Sequence, residues 1–497
     1  MYKQILVFLV SLLILIPNLL QGQQAPKREF RGVWVSTIHN IDWPPKKGLW
    51  KQAQQEAFLQ LLDEHQKAGI NAVIFQVRPA SDAFYRSKNE PWSEWLTGEQ
   101  GEKPGFDPLK FVISECHKRN MELHAWFNPF RAFAKGQDSL SKKHISRRHP
   151  EWLVDYHYGK YINPGIPEAR KYLVKEIMSV VKKYDIDGVH FDDYFYPYPV
   201  NGQPFEDNHT YKTHANGFTD KGDWRRANIN NFIKTLHINI EAEKKHVKFG
   251  ISPFGVWRNK KDDPLGSDTY ASIPSYDSIY ADTKLWLDEG WIDYIAPQIY
   301  WSTTFKPAAF NVLIPWWADN AANRHVYIGH AVYKINNNYD SAWYNPEEMP
   351  DQIKLVRNYP KEIQGSIFFR SKFLNQNPGG INTRLKEEFY AQPALLPTMY
   401  WKDAVPPLPP RKVRVIQEVN GVTLKWKRSK KAPDGQRAAK YVIYRYPKGT
   451  AFSENDSNFI VAIVSAKQKS WFDPQRSGAY EYRISALDRS WNETFSY

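Results

Sequence analysis

The 497-residue sequence contains one cysteine, Cys116, so no internal disulfide can form. A chain of this length must then be stabilised by a large hydrophobic core. Cys116 lies in a stretch with helical periodicity, Pro108 to Arg119, and we expect it to be buried packing rather than a nucleophile. No cysteine lies directly after the N-terminal apolar run, so we expect no lipoprotein anchor.

Signatures of several enzyme classes are also missing. No Gly-rich phosphate loop follows the first predicted strand, which argues against a dinucleotide-binding open sheet. No Gly-x-Ser-x-Gly occurs, so a serine hydrolase with a nucleophile elbow is not expected. His39, His124, His190 and His330 lack the His-x-x-x-His and His-x-His spacings of a strong metal motif. We therefore predict no metal and no other cofactor.

Acidic residues are outnumbered by basic ones, 53 to 67, which gives a net charge of +14. Such a charge favours contact with anionic polymers, including nucleic acid, anionic envelope glycans and acidic lipid headgroups. Lys and Arg are interspersed with Asp and Glu through most segments, without a long basic tract. We therefore do not expect nucleic acid as a partner.

Aromatic residues are abundant at 15% of the chain, with 19 Trp and 29 Tyr. Sugars present flat C–H faces that stack on aromatic rings, so this surplus suits a carbohydrate cleft. Large packed cores also use aromatics, and composition alone leaves both uses open.

The N-terminus has the pattern of an export signal. A basic start is followed by an apolar run from Ile5 to Leu20, interrupted by Pro17, and then by the polar stretch Gln21-Gly-Gln-Gln-Ala25. This predicts a signal peptide over residues 1–24, a secreted or periplasmic protein that can associate with the cell envelope, and no stable membrane span after cleavage. An uncleaved anchor is the alternative.

Between residues 28 and 392, short β-rich runs alternate with helical patterns such as Trp50–Lys67, Glu168–Tyr184, Trp224–Lys244, Tyr276–Glu289 and Pro346–Asn358. Eight continuous apolar runs separated by helices predict an α/β fold with a closed parallel (β/α)8 TIM barrel. The predicted strands are Arg31–Ile38, Ala72–Arg78, Glu122–Phe127, Gly188–Asp192, Lys248–Pro253, Tyr294–Tyr300, His325–His330 and Gly365–Phe369.

The C-terminal part has a different pattern. Residues 393–410 are Pro-rich, with Pro406-Pro-Leu-Pro-Pro410, and predict a semi-rigid linker. Residues 411–497 contain short alternating strands broken by turns, which predict a small all-β, immunoglobulin-like sandwich. This part resembles a fibronectin type III module, with Trp426 as the expected core tryptophan.

The densest cluster of polar residues is Asp187-Gly-Val-His-Phe-Asp-Asp-Tyr-Phe-Tyr-Pro197, at the end of the fourth predicted strand. The carboxyl ends of the strands carry the chemistry in TIM barrels. Hydrolysis of a glycosidic bond uses two carboxyl groups, and two neighbouring carboxylates raise one another's pKa. Asp192 and Asp193 are therefore candidate catalytic residues. Neighbours on a strand face opposite ways, so the direction of Asp193 depends on where the strand ends.

Other polar and aromatic residues follow the remaining strands and are candidates for substrate binding. An arginine at a barrel mouth must pair with a nearby aspartate or with a substrate carboxylate. Tryptophans there could be stacking platforms or core packing. The candidates are Arg78, Asp82, Asn128, Arg131, His190, Tyr194, Trp257, Gln298, Tyr300 and Trp301.

Six motifs follow one another along the chain: Glu29-Phe-Arg-Gly-Val-Trp-Val-Ser36, Phe75-Gln-Val-Arg-Pro79 with Asp82, Trp126-Phe-Asn-Pro-Phe-Arg131, Asp187–Pro197, Gly250-Ile-Ser-Pro-Phe-Gly255 and Ala296-Pro-Gln-Ile-Tyr-Trp301. Together they resemble the family-10 glycosyl-hydrolase-like barrels, over about Glu29 to Tyr390. The resemblance implies a secreted or periplasmic glycan hydrolase, and some relatives act on peptidoglycan glycan strands stripped of their peptides. It also implies that the Asp pair is the catalytic centre, and that Arg78, Asp82, Asn128, Arg131, Gln298 and Tyr300 line the cleft.

The fourth strand departs from the chitinase pattern Asp-Gly-x-x-x-Asp-x-Glu, because Tyr194 stands at the Glu position. The glutamate that serves as general acid in the chitinases is therefore missing here, and the chitinase mechanism cannot be transferred to this chain unchanged. Asp192 matches the Asp that steers the substrate acetamido group there, and Tyr300 is similar to a sixth-strand Tyr of that family. Substrate-assisted attack by an N-acetyl group therefore stays open, with Asp192 or Asp193 supplying the proton.

The sequence thus predicts a hydrolase of a β-linked amino-sugar polymer, with peptidoglycan glycan as the expected substrate. Two alternatives remain: a barrel that binds glycan without cutting it, and a hydrolase of a neutral polysaccharide. The net charge of +14 argues weakly against the neutral polymer. The sequence leaves open the position of the glycosidic linkage and the oligomeric state.

Overall fold

The computed structural model describes residues 25–496, apart from 135, 136, 138, 139, 158, 476 and 477. The predicted signal peptide, residues 1–24, lies outside the described residues. In the part of the chain that is described, no helix has both the length and the apolar character needed to cross a membrane.

Eight parallel strands close into a barrel, which confirms the predicted (β/α)8 fold. Each strand pairs with the next one along the chain, and the eighth pairs with the first. The strands are β1 (Phe30–Val35), β2 (Ala72–Arg78), β3 (Glu122–Phe127), β4 (Gly188–Phe191), β5 (Lys248–Ile251), β6 (Tyr294–Ile295), β7 (His325–Ala331) and β8 (Ile363–Phe369).

Strand β6 is much shorter than the predicted Tyr294–Tyr300. Pro297 has no amide hydrogen to donate to a ladder, which explains why regular pairing stops before it. Isolated bridges from Gln298 to Phe254 and to Gly329 nevertheless continue the sheet. Gln298 is thereby held in the barrel wall although it lies outside a regular strand.

Helices return the chain between the strands. One predicted helix, Tyr276–Glu289, is wrong: the chain forms two short helices there, separated by Tyr280 in the left-handed region at φ 56°. The longer helices are Lys51–Lys67, Pro108–Lys118, Pro167–Lys183, Lys221–Glu243, Phe310–Asp319 and Glu348–Arg357. The shorter ones are Glu94–Thr97, Ile145–Arg148, Asn208–His214, Ser275–Ser278, Thr283–Asp288, Ser371–Asn375 and Ile381–Arg384.

A small antiparallel sheet follows β3 and was not predicted. Its strands are Arg131–Phe133, Leu153–Tyr156 and Gly159–Ile162, with the last in the middle. Arg131 pairs with Tyr161 in this sheet, so the insertion fixes the backbone that carries Arg131 at the barrel mouth.

The C-terminal module, residues 411–496, consists of two antiparallel sheets, which confirms the all-β prediction. Trp426 is 3% exposed in its core. The fibronectin type III likeness and the domain boundaries stay predictions. One sheet has the order β9-β10-β13 and the other β12-β11-β14-β15, with β9 (Arg411–Glu418), β10 (Gly421–Lys427), β11 (Lys440–Pro447), β12 (Ile460–Ser465), β13 (Ser470–Asp473), β14 (Tyr480–Leu487) and β15 (Glu493–Phe495).

The module closes the floor of the barrel, at the amino ends of the strands. Trp491 is 3% exposed and donates its indole N–H to Oε1 of Glu122 on β3 at 2.7 Å. Lys248 on β5 donates to both oxygens of the same carboxylate at 2.6 Å. Leu396 of the connecting segment and Phe30 of β1 belong to one apolar cluster with Trp491. Barrel and module therefore share a continuous core.

A chain of hydrogen bonds runs through the barrel interior from the floor to the mouth. His124 bonds Glu122 at 3.0 Å through Nε2 and the hydroxyl of Tyr294 at 2.8 Å through Nδ1. The same hydroxyl bonds Nδ1 of His190 at 2.9 Å, and Nε2 of His190 accepts from Trp34 Nε1 at 3.1 Å. All five side chains are buried.

We expect Trp491→Phe to lower the free energy of unfolding by about 2 kcal/mol, because the ring stays but a hydrogen bond to a buried charge is lost. Urea denaturation measures the change. The control is Trp50→Phe at a tryptophan that is 63% exposed, where the change should stay within about 0.5 kcal/mol. Equal effects of the two substitutions would contradict the role given to the floor contact.

Candidate active site

A cavity of about 340 Å³ opens at the carboxyl ends of the barrel strands. A larger groove of about 630 Å³ lies on the outer wall between helices Pro167–Lys183 and Lys221–Glu243, but no carboxyl group lines it. The barrel mouth is where TIM-barrel enzymes place their active sites. The lining residues of the smaller cavity are Trp34, Ser36, Ile38, Ile41, Gln76, Trp126, Arg131, Asp192, Asp193, Tyr194, Ser252, Gln298, Tyr300, Tyr333 and Phe369.

Asp192 and Asp193 both line this cavity although they are neighbours in sequence. Strand β4 ends at Phe191, and the chain bends at Asp193, so the alternation of a strand no longer applies. The two residues are 7% and 6% exposed. The structure therefore brings the two predicted carboxyl groups together in one largely buried place.

Burial and, to a smaller extent, the adjacent Asp193 raise the pKa of Asp192 to about 7, against the lowering effect of Arg131 and of the amide of Asn128. A carboxyl group with a pKa near neutrality can hold a proton in the neutral range and give it up during a reaction. Asp192 has the properties of a general acid.

A relay of amide groups orients Asp192 from below. Oε1 of Gln76 accepts from the backbone N–H groups of Thr37 and Ile38 at 2.9 Å each, so its amide nitrogen has to donate. That nitrogen donates to Oδ1 of Asn128 at 2.8 Å, and Nδ2 of Asn128 donates to Oδ2 of Asp192 at 2.6 Å. Gln76 was not among the candidates predicted from the sequence, although it is a polar side chain inside the otherwise apolar run Ala72–Val77.

Asp193 has its own partners. The hydroxyl of Tyr198 donates a short hydrogen bond to its Oδ2. Burial raises the pKa of Asp193, and the hydrogen bonds from Tyr198 and Gln298 lower it in part. Gln298 is itself fixed by donation from Nε2 to the carbonyl of Ser252 at 2.9 Å. The two carboxyl groups thus have different surroundings, and Tyr198 is a second residue that the sequence analysis missed.

Arg131 places a cation beside the acidic pair. Its guanidinium lies over the ring of Tyr194, 4.1 Å from the ring centre, and within electrostatic reach of Asp192 and Asp193. Among the described residues, the guanidinium donates no hydrogen bond and has no carboxylate oxygen within 4 Å. It is available to an anionic group that enters the cavity.

Six of the ten predicted substrate-binding residues lie outside the cavity lining, and four of these, Arg78, Asp82, Trp257 and Trp301, do not contact Asp192. Arg78 is fully buried and pairs with Glu90, with N–O distances of 2.5–3.0 Å, while also donating to the carbonyl of Asn128 at 2.9 Å. Asp82 is buried beside Gln100, and burial raises its pKa to about 7. The other two are Trp257, which packs against Trp316, and Trp301, which packs against Phe254.

The remaining candidates are close to the pair. Tyr194, Gln298 and Tyr300 line the cavity, and the ring of Tyr300 stacks on Phe369 with 5.9 Å between centres. Asn128 touches Asp192 from behind the lining, and His190 lies one layer deeper, under Trp34. Substrate contact by any of these residues stays a prediction.

No group of three or more His, Cys, Asp and Glu side chains that could hold a metal ion is found in the described ranges. The polar side chains that line the cavity carry carboxyl, hydroxyl, amide and guanidinium groups.

Residues 29–345 match the model of the family described as Glycosyl hydrolase-like 10. The chain is 46% identical over 507 residues to "Glycosyl hydrolase YngK" of Bacillus subtilis (strain 168), covering 99% of this chain and 98% of that protein. It is 39% identical over 377 residues to "Glycosyl hydrolase DigH" of Escherichia coli (strain K12), covering 71% of this chain and 85% of that protein.

Among solved structures, the fold is similar to the PgaB (BpsB) glycoside hydrolase domain from Bordetella bronchiseptica, at 13% identity and a TM-score of 0.47 over 72% of this chain and 98% of that one. The family model and the two sequence relatives decide the assignment. The chain belongs to the glycosyl hydrolase-like 10 family and is a glycoside hydrolase.

Proposed function

We propose that this enzyme hydrolyses a β-linked amino-sugar polymer, the glycan strand of peptidoglycan, at Asp192 and Asp193. The observation that carries the proposal is that two buried carboxyl groups line the same cavity as the guanidinium of Arg131, which has no carboxylate oxygen within 4 Å among the described residues. The carboxyl pair supports glycoside hydrolysis, and the available cation supports a substrate that bears negative charge.

Asp192 supplies the proton in this proposal. With a pKa raised to about 7 by burial and by Asp193, it is protonated below neutral pH and can protonate the leaving glycosidic oxygen. Asp193 is then the second carboxylate, and its negative charge stabilises the positive charge that develops on the sugar. It either attacks the sugar as a nucleophile or activates a water molecule that does so. Attack by the substrate's own N-acetyl group is the alternative route, and it uses the same proton donor.

Arg131 recognises the substrate carboxylate. A peptidoglycan strand without peptides carries a free lactyl carboxylate on every second sugar, and a planar guanidinium binds a carboxylate through two parallel hydrogen bonds. The stacking on Tyr194 holds the guanidinium plane in place before the substrate arrives. A neutral polysaccharide would offer this half-buried cation no carboxylate.

The aromatic walls suit a sugar ring. Trp34, Trp126, Tyr300 and Phe369 line the cavity and offer flat apolar faces. The indole N–H of Trp126 is buried and has no hydrogen-bond partner among the described residues. A buried donor without a partner is costly, so a hydroxyl or acetamido oxygen of the substrate is a suitable acceptor.

We further propose that the enzyme acts outside the cytoplasm, in the periplasm or at the cell envelope. The basic and apolar segments of residues 1–24 and the polar stretch ending at Ala25 support export. The proposed polymer is also found there.

We expect Asp192→Asn and Asp193→Asn each to lower turnover of peptide-free glycan strands by roughly 10²–10⁴-fold, the range of acid–base catalysis. Mass analysis of the released fragments measures turnover. Asp319→Asn, at an exposed aspartate on the barrel wall, is the control and should not change it. Wild-type rates in both Asp192 and Asp193 variants would exclude the pair as the catalytic centre, and cleavage of neutral glucans in preference to these strands would favour the neutral-polysaccharide alternative.

The rate should fall as pH rises through about 7, because the acid form of Asp192 is lost there. Asn128→Ala removes a hydrogen bond that lowers the pKa of Asp192, so the falling limb of the pH–rate profile should move to higher pH. The pH profile of kcat/KM, which reports the pKa of the free enzyme, is measured for both proteins. An unchanged limb in the Asn128 variant, or a shift to lower pH, would contradict the assignment of Asp192 as the acid.

Arg131→Gln should remove the preference for charged substrate. We expect kcat/KM on carboxylate-bearing strands to fall by roughly tenfold to a hundredfold, the usual effect of losing a charge-assisted pair. On strands whose carboxyl groups have been reduced to alcohols, wild type and variant should be similar. An equal loss on both polymers would show that Arg131 supports the site without reading the carboxylate.

A further inference from the structure

The positive charge of the chain is concentrated in its smaller part. Residues 411–497 contain 17 Lys and Arg against 8 Asp and Glu, a net charge of +9 out of the total of +14. The active site lies in the barrel, so this charge has no role in the proposed reaction.

The sheet β9-β10-β13 carries part of this charge on its outer surface. Val422, Leu424 and Trp426 of β10 point into the module core. Side chains alternate along a strand, so Lys425 and Lys427 point outward, and both are exposed.

Two arginines of β9 lie directly opposite these lysines. Arg411 pairs with Lys427, and Arg414 pairs with Lys425. Residues 411 and 414 would face opposite sides of a regular strand, but the register shifts between them, where Lys412 has φ 53°. The bulge therefore brings both arginines to the outer face.

Like charges directly opposite each other destabilise a sheet. Here two such pairs stand next to one another, and none of the four cations has a carboxylate within 4 Å among the described residues. Glu418, the acidic residue that the pairing puts on this face, lies at its other end, opposite Gly421. The arrangement is unfavourable for the module alone and becomes favourable when an anion is bound.

An aromatic ring completes the face. Phe472 of β13 pairs with Thr423, the residue two before Lys425, and is 46% exposed. A side chain on Gly421 would come within 3 Å of the ring of Phe472, so the ring lies against the sheet at this glycine and leaves a surface open to solvent. A flat ring next to cations suits a sugar that bears carboxylates.

We propose that this basic face, formed by Arg411, Arg414, Lys425 and Lys427 with Phe472, is a second binding site, separate from the active site, for a carboxylate-bearing glycan polymer. The choice of a glycan over other polyanions rests on the proposed function. The site would hold the polymer while the barrel cleaves it, so its loss should affect binding to long strands and spare the cleavage of short fragments.

The test compares two full-length variants that lose the same charge, both in the Asp192→Asn background so that the polymer stays intact. The first removes the basic face and consists of Arg411→Gln, Arg414→Gln, Lys425→Gln and Lys427→Gln. The control removes four exposed lysines without ion-pair partners elsewhere and consists of Lys110→Gln, Lys245→Gln, Lys386→Gln and Lys448→Gln.

Cosedimentation with peptide-free peptidoglycan strands at low salt measures the binding. We expect the basic-face variant to bind at least about tenfold more weakly and the control to bind within about twofold of the parent, with binding weakened by salt. Strands with reduced carboxyl groups should bind weakly to all three proteins. The melting temperature of the basic-face variant should be equal or higher, because repulsion between opposite strands is relieved.

Equal binding by the two variants would overturn the proposal, and so would undiminished binding of the reduced strands. Tighter binding of the parent to phosphatidylglycerol vesicles or to DNA would overturn the choice of a glycan. With Asp192 restored, the basic-face variant should cleave short soluble fragments at the parental rate. Binding is measured without turnover, so a failure of the proposed hydrolysis would not be mistaken for a failure of this site.

Discussion

The barrel depends on the neutralisation of one carboxylate at its floor. Burial disfavours the charge of Glu122, but Lys248 and His124 hold its pKa well below the usual range. Removing one partner of a buried ion pair typically costs about 3–5 kcal/mol, because the other charge is left uncompensated. The module contributes Trp491 to the same carboxylate. The barrel and the module therefore form one electrostatic unit, and the module is part of what holds the barrel closed.

The same carboxylate fixes the direction of the hydrogen bonds above it. The indole of Trp34 can only donate, so Nε2 of His190 accepts and its Nδ1 carries the proton. The hydroxyl oxygen of Tyr294 accepts a hydrogen bond from this N–H, and the hydroxyl donates to Nδ1 of His124. The proton of His124 is then on Nε2, which donates to Glu122. Burial holds the pKa of His190 well below its usual range, in agreement with the neutral ring that this order requires. Hydrogen bonds thereby connect Trp34, which lines the cavity, to Glu122 at the floor of the barrel.

The sequence predicts the barrel well because its strands are continuous apolar runs, which tertiary contacts do not override. It predicts the site less well, because the loops after the strands decide which side chains meet in the cavity. Arg78 stands at the carboxyl end of β2, where a cleft residue is expected. Glu90, twelve residues later, forms a buried ion pair with it instead. The cation in the cavity is Arg131, placed by a small sheet that has no clear sequence signal. Gln76 was overlooked because a single glutamine in a strand gives no indication of its partners.

Burial of Asp192 and Asp193 at the barrel mouth lowers the free energy of unfolding near neutral pH, and the same burial gives Asp192 the raised pKa of a proton donor. With the pKa of Asp192 raised to about 7, the folded state binds more protons than the unfolded chain, so stability falls as pH rises from about 4 to 7. The relay from Gln76 also decides where the proton is held. Oδ2 of Asp192 accepts from Asn128 at 2.6 Å, whereas Oδ1 has only a 3.3 Å contact with the backbone N–H of Tyr194. The stronger hydrogen bond to Oδ2 favours the proton on Oδ1, so the oxygen that delivers the proton depends on an amide whose own orientation is set by the loop after β1.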